Sequence, residues 1–377
     1  MSADGDLPLM TVQVARDGAA VRLARRGGQA CEVAAPWLFD HADAARSPVS
    51  GQRMHGAGLL EGVGVSEARI EGDQLVVGFT PSGAEGRIPL AALGDDDAYP
   101  AVRPEPWSRP DVVDVAAPIA FRDYLADDGA LREALARVVR HGLVVLTGAG
   151  DSPGAVEHAV ARFGYVRETN YGRLFDVRIE PKPGNLAYTD RALDLHTDNP
   201  YRASPPTLQL LHALVVDAGG GGESLFVDGF AQGEDLRRQD PEAFAILASE
   251  PVRFTYRDAD GARWSAVSPI LRLDVDGRLE QVRLNHRSLD LRPGDAAAQG
   301  AWYDAYLAFW RRVHAPQAAF ERRLGVGDMV IFDNRRILHA RRAITAASPR
   351  WLQGCYADVD GLLATLARFD PGREAGR

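Results

Sequence analysis

The stretch Leu195-His196-Thr197-Asp198-Asn199-Pro200-Tyr201 decides how the rest of the chain is read. His196 and Asp198 are two residues apart. Side chains alternate along a β-strand, so on a strand both point to one face and Thr197 to the other. A second imidazole, His339, lies far downstream in Phe332-Asp333-Asn334-Arg335-Arg336-Ile337-Leu338-His339-Ala340, after a glycine-containing turn and an apolar run that reads as a strand. Two imidazoles and one carboxylate form a facial triad that leaves about half of an octahedral iron(II) open. A bare His-x-Asp recurs by chance, and it is the downstream context that raises this one. Arg350 follows His339. A planar guanidinium suits the far carboxylate of an organic acid held at such a metal.

The bulk numbers set the frame. The chain has 377 residues, 46% of them hydrophobic and 25% charged, which is globular and long enough for two domains. A net charge of −9 argues against nucleic acid or an acidic membrane surface as partner. Only Cys31 and Cys355 are present, too few and too distant for a disulfide framework or a thiolate zinc site, and a cytoplasmic setting is expected. Met1-Ser2-Ala3-Asp4-Gly5-Asp6 lacks a basic segment and an apolar core, so no signal peptide is expected. No apolar run reaches membrane-spanning length.

Residues 1–100 read as a small β domain. Thr11–Val14, Ala20–Leu23 and Gln74–Phe79 are strand-like runs separated by Asp-Gly, Gly-Gly and Glu-Gly-Asp turns. Asp95 to Pro110, rich in Asp and Pro, is the expected linker, with a catalytic domain over 111–370. Leu131, Leu135, Val138 and Val139 recur at helical spacing within Ala130–His141; Gly142 ends that helix and Leu143–Leu146 is a buried strand. Helices are also expected over Pro153–Phe163, Gly233–Ser249 and Ala296–His314. In the last, Trp302, Tyr306, Phe309 and Trp310 form a stripe that reads as core. Gly219–Gly222 is a turn and not a phosphate cradle, because no Lys-Ser/Thr follows it. Periodicity alone gives a mixed α/β chain, mainly β.

Several further segments carry a resemblance. Asn185-Leu186-Ala187-Tyr188, His196-Thr197-Asp198, Leu208–His212, Val227–Phe230, Phe332–Arg335, Leu338-His339 and Gly354–Asp358 resemble, in order, the γ-butyrobetaine hydroxylase-like branch of the taurine dioxygenase superfamily. The resemblance implies a double-stranded β-helix, a distorted jelly roll with helices packed outside. It also implies iron(II), 2-oxoglutarate and O2, with ascorbate as a stimulant, and hydroxylation of a C–H bond with release of succinate and CO2. His196, Asp198 and His339 become the metal ligands, and a carboxylate at position 198 disfavours halogenation. Arg350, Asn185 and Ser224 match positions that contact 2-oxoglutarate. Relatives suggest a homodimer acting on a small molecule. In the family the N-terminal domain holds zinc through a C-x-C-x-x-C cluster. The matching Trp37–Ser47 stretch has no cysteine, so no structural zinc is expected, and His41, Asp43 and His55 read as solvated polar residues.

The substrate end follows from chemistry. A quaternary ammonium has no N–H to donate, so ring faces hold it, each worth roughly 0.5–2 kcal/mol. Tyr171, Phe175, Tyr188 and Tyr356 match the family's aromatic cage. The family's tyrosine directly after His-Thr-Asp is Asn199 here, with Tyr201 two places on. Asn285 is expected at the substrate's anionic end. Arg287, with Arg202, hints at a phosphonate such as 2-trimethylaminoethylphosphonate rather than γ-butyrobetaine, because a phosphonate carries more charge and more acceptor oxygens than a carboxylate, and both stay candidate substrates. Asp176–Gly184, with Pro181 and Pro183, is a candidate lid. Three alternatives stay open: a hydroxylase of another small amino acid or betaine, a non-catalytic 2-oxoglutarate sensor, and a zinc hydrolase. The last lacks an H-E-x-x-H motif and leaves Arg350 without a role.

Overall fold

The computed structural model describes residues 10–25, 30–93, 102–108, 115, 117–180, 186–216, 221–258, 261–345 and 348–369. The chain divides into two compact units, one taking in residues 1–99 with 371–377, the other residues 100–370. Among the described residues no helix is long and apolar enough to cross a membrane.

The first unit is built on two antiparallel three-stranded sheets. Met10–Val14, Ala20–Arg25 and Ala30–Ala34 make one, and Gly64–Glu71, Gln74–Thr80 and Glu85–Pro89 the other. Val21, Leu23, Leu38, Leu75, Val77, Phe79 and Ile88 form its core. Of the three polar residues expected to be solvated, Asp43 is exposed, while His41 and His55 are packed against aromatic rings. The His41 ring stacks on Trp37 at 3.8 Å. Asp43 accepts the Arg87 N–H at 2.8 Å. The His55 side chain is buried between Phe39 and Asp40.

In the second unit a six-stranded sheet runs through Ile119–Ala120, Leu143–Thr147, Met329–Asp333, Leu208–Val215, Trp351–Ala357 and Phe175–Val177. A four-stranded sheet runs through Leu193–His196, Ile337–Arg341, Ser224–Asp228 and Ala319–Arg322. The two-residue period assigns each sheet an inner and an outer face. Leu143, Val145, Leu211, Val330 and Phe332 from the larger sheet meet Phe226, Phe320 and Ile337 from the smaller in one buried cluster between them. Val144, Leu146, Leu208, Leu210 and Ile331 turn outward to a cluster shared with helices Asp128–His141, Ala155–Ala161 and Val359–Ala367. Behind the smaller sheet, Val227 and Leu338 pack with Trp302, Tyr306 and Phe309 of helix Ala296–Val313. The whole is a distorted jelly roll with helices outside.

Local rules account for most boundaries. Asp127 caps helix Asp128–His141 through the Ala130 N–H, and Gly142 ends it at φ 81°. The run expected as one helix over Gly233–Ser249 is two, Gly229–Gln239 and Pro241–Ser249. Asp240 breaks it because its side chain caps the second helix and Pro241 supplies the first helical position. The helix expected over Pro153–Phe163 is shorter, Ala155–Ala161, since Gly154 at φ 97° blocks an earlier start. The expected linker is not wholly free. Trp107 is buried, its N–H on Asp228 and its indole N–H on the His141 carbonyl. The lid candidate begins on an edge strand, Phe175–Val177, and its residues 181–184 lie outside those described.

One buried ion pair ties the second unit together. Arg336 and Asp228, 2% and 0% exposed at the side chain, meet at 2.7 Å in a two-pronged contact. The same guanidinium reaches the carbonyls of Glu105, Val139 and Arg140. Removing one partner leaves a buried charge without compensation. Arg336→Met is therefore expected to lower the unfolding free energy by about 3–5 kcal/mol, measured by denaturant titration, with the double variant carrying Asp228→Asn recovering part of the loss.

Candidate active site

The two sheets open at one end onto a cavity of about 360 Å3. Its floor is set by strand register. Leu193–His196 and Ile337–Arg341 pair antiparallel with His196 opposite His339, and a bulge falls between Leu193 and His196. The rings lie 4.3 Å apart. Asp198 completes the group, and ligand atoms of all three lie within 4.8 Å of one another, the only such group of three His, Cys, Asp or Glu among the described residues.

Asp198 does not reach this place as the two-residue period suggests. The strand stops at His196, and Asp198 lies in the bend that follows. The bend is held from two sides. Thr197 gives its N–H to the Leu284 carbonyl at 2.7 Å, and its carbonyl accepts from the Asn285 amide at 3.2 Å. The Asn334 amide accepts the Asp198 N–H at 2.8 Å and donates to the Asp198 carbonyl at 3.0 Å. Asn199 then turns the chain at φ 56°, a left-handed conformation asparagine tolerates.

The protonation states suit metal ligation. His196 Nδ1 donates to the Asp194 carbonyl at 2.8 Å, which fixes the ring and turns Nε2 toward Asp198 Oδ1 at 3.3 Å. Burial, helped by the His196 charge, brings His339 down to about 3, so the imidazole is neutral near neutral pH. Burial raises the Asp198 carboxyl, but the His196 hydrogen bond, the two imidazole charges and the Tyr356 hydroxyl outweigh it and hold it well below the carboxylate range. Two imidazole nitrogens and one carboxylate oxygen fit iron(II).

Arg350 lines the cavity, is buried, and has no ion-pair partner among the described residues. Burial first, then the Arg341 charge, lowers it to about 10, so it stays cationic. Gly222, at φ 73°, lies against it; a Cβ there would stand 3.1 Å from Arg350 Cδ and 2.6 Å from Ile344. The Ser224 side chain is buried on the same wall. An arginine, a hydroxyl and open space beside the triad fit a dicarboxylate such as 2-oxoglutarate. Asn185 lies outside the described residues.

Tyr171, Phe175, Tyr188, Asn199, Tyr201, Asn285, Arg287 and Tyr356 all line the cavity. The rings form a continuous wall: Tyr356 to Phe175 at 4.9 Å, Phe175 to Tyr171 at 6.4 Å, and Tyr171 to Tyr256 at 6.3 Å. Tyr201 stacks on Tyr256 at 4.8 Å, and its hydroxyl donates to Asn199 Oδ1 at 2.6 Å. Tyr201 thus comes back to the wall from two places along. Burial pushes Tyr188 up to about 12 and raises Tyr171, Tyr201 and Tyr356 further, so these four are neutral phenols. Arg202 is a correction: it is absent from the lining and turns to Asn170 and the Trp264 ring. Arg257, at the end of strand Val252–Arg257, lines the cavity with Arg287.

Sequence reading missed Asn334, Tyr256, Gln209, Arg257 and Arg341. Arg341 had a signal: two residues after His339 on one strand, it must share its face. It is buried and donates to the carbonyls of Ala187, Thr189 and Arg191, strapping the Tyr188 segment to the His339 strand.

Such a fold and donor set define a mononuclear facial-triad metal protein. The family model described as "Taurine catabolism dioxygenase TauD, TfdA family" matches residues 107–356, and the chain belongs to that family. A gamma-butyrobetaine dioxygenase of Pseudomonas sp. (strain AK-1) is 41% identical over 243 residues, 64% of this chain and 63% of that protein. The Homo sapiens gamma-butyrobetaine dioxygenase is 34% identical over 251 residues, 65% of each. The mitochondrial trimethyllysine dioxygenase of Bos taurus is 30% identical over 254 residues, 66% of this chain and 59% of that protein. The match thus spans less than two thirds of each relative's length.

A titration consequence follows. A histidine whose folded pKa is depressed adds stability above its unfolded value and loses it as pH falls toward the folded one. The metal-free protein is expected to lose stability as pH drops from about 6.5, the unfolded value, toward 3. His339→Gln is expected to flatten part of that slope, read as unfolding midpoint against pH.

Proposed function

We propose that the protein is an iron(II)- and 2-oxoglutarate-dependent dioxygenase that hydroxylates a C–H bond of a small trimethylammonium zwitterion, γ-butyrobetaine or 2-trimethylaminoethylphosphonate. The observation that carries the reading is the joining of His196, His339 and Asp198 to an aromatic wall in one cavity. The names of the relatives, gamma-butyrobetaine and trimethyllysine dioxygenases, support a trimethylammonium substrate. When bound, iron and 2-oxoglutarate supply oxidative decarboxylation, releasing succinate and CO2, coupled to oxygen insertion.

The chain's own residues hold and orient. His196, Asp198 and His339 hold the metal. Arg350, with Ser224, takes the distal carboxylate of 2-oxoglutarate, and Asn185 is assigned beside it. Tyr171, Phe175, Tyr188, Tyr201, Tyr356 and the newly found Tyr256 face the ammonium with ring surfaces. Asn199 serves indirectly, by accepting from Tyr201. Asn285 and Arg287 meet the anionic end, although one N–H of Asn285 is already given to Thr197. Arg257 takes the second cationic position expected of Arg202. Two guanidiniums without an ion-pair partner among the described residues favour the doubly charged phosphonate over the carboxylate.

The direct assay supplies iron, ascorbate, 2-oxoglutarate and one candidate at a time, with succinate measured. Substrate-dependent succinate is expected with at least one candidate, faster with the phosphonate; rates no higher than without substrate for both end the trimethylammonium reading. Arg350→Gln should raise the KM for 2-oxoglutarate roughly 10- to 100-fold, the worth of a charge-assisted hydrogen bond, while the KM for the other substrate changes little.

A further inference from the structure

Tyr356 stands at a cage position, yet its hydroxyl leaves the cage. It donates to Asp198 Oδ2 at 2.8 Å. The Asp198 backbone is fixed separately, because the Asn334 amide grips both its N–H and its carbonyl. A further bond from Asn334 to the Pro206 carbonyl at 2.9 Å anchors that amide. With the peptide held, the freedom left to Asp198 lies in its side-chain torsions, and the Tyr356 hydroxyl removes it. Oδ1 then lies 3.3 Å from His196 Nε2, and Oδ2, held by the tyrosine, lies 3.8 Å from His339 Nε2. Tyr356 cannot follow a moving carboxylate. It is buried in strand Trp351–Ala357, paired with Gln209, its ring against Phe175.

We infer that Tyr356 is a positioning residue that fixes the rotation of the Asp198 carboxylate between the two imidazoles, so that a ligand oxygen is already aimed before the metal arrives. The inference rests on the reading of the triad as a metal site and adds a role to a residue placed in the aromatic wall. Its consequence is preorganisation: a carboxylate free to rotate must be ordered when the metal binds, and the tyrosine hydroxyl has ordered it beforehand.

Tyr356→Phe deletes the hydroxyl and keeps the ring against Phe175. Metal-free wild type and variant are titrated anaerobically with cobalt(II) alone, followed by its visible absorption. The variant is expected to bind roughly 10-fold more weakly, the lower end for losing an outer partner of a ligand, and with a changed spectrum. Tyr256→Phe removes a hydroxyl of the same wall that has no bond to Asp198, and is expected to match wild type. If Tyr356→Phe reproduces the wild-type dissociation constant and spectrum, or Tyr256→Phe shifts them equally, the positioning role is overturned while the metal site stands. If wild type takes up no cobalt at all, the metal site itself is refuted.

Discussion

The pairing of His196 directly across from His339 is the constraint on which the site depends. A slip of one residue between Leu193–His196 and Ile337–Arg341 would turn one imidazole out of the cavity, because side chains alternate across a sheet. What holds the register is mostly apolar. Ile337 and Phe226 fill the space between the sheets, and Phe332 lies 4.9 Å from the His339 ring. Arg341, on the same strand, adds a polar lock through three carbonyls. The bulge before His196 lets a short strand keep that register and still deliver Asp198 from the bend beyond.

Burying two imidazoles and a carboxylate together is costly unless each is compensated. Here the compensation comes from the backbone and from neutral donors. The Asp194 carbonyl accepts from His196 Nδ1, the Asn334 amide bonds both ends of the Asp198 peptide, and the Tyr356 hydroxyl donates to one carboxylate oxygen. Among the described residues His339 Nδ1 has no hydrogen-bond partner, consistent with an imidazole that burial keeps neutral. The group is held in place by these bonds, so binding metal requires little rearrangement.

Much of this was legible from residue types and spacing. The donor triad, Arg350 and the aromatic residues were readable because their chemistry is particular to them, and the helix Asp128–His141 because both its ends are marked by cap residues. What was not legible came from long-range geometry. The off-strand position of Asp198 depends on Leu284, Asn285 and Asn334, each far away in sequence. Tyr256 belongs to a strand whose local pattern gives no hint that it faces the same cavity as Tyr201. Gly233–Ser249 read as one helix because its apolar spacing runs on across Asp240, and only the cap bond shows the break.

The arginines around the cavity sort by what they touch. Arg341 is spent on three carbonyls, Arg202 has left for Asn170, and Arg336 is locked on Asp228. Arg350, Arg287 and Arg257 face the cavity with no ion-pair partner among the described residues. A chain of net charge −9 therefore surrounds a pocket with a local excess of positive charge, against which Asp198 is the acidic side chain in the lining. Such a pocket attracts anions. A cationic group enters it only if it is tied to an anion and meets surfaces that ask for no hydrogen bond, and neutral phenol rings are such surfaces. Charge and ring placement thus argue for the same ligand shape, a small molecule with a bulky cation at one end and a strong anion at the other.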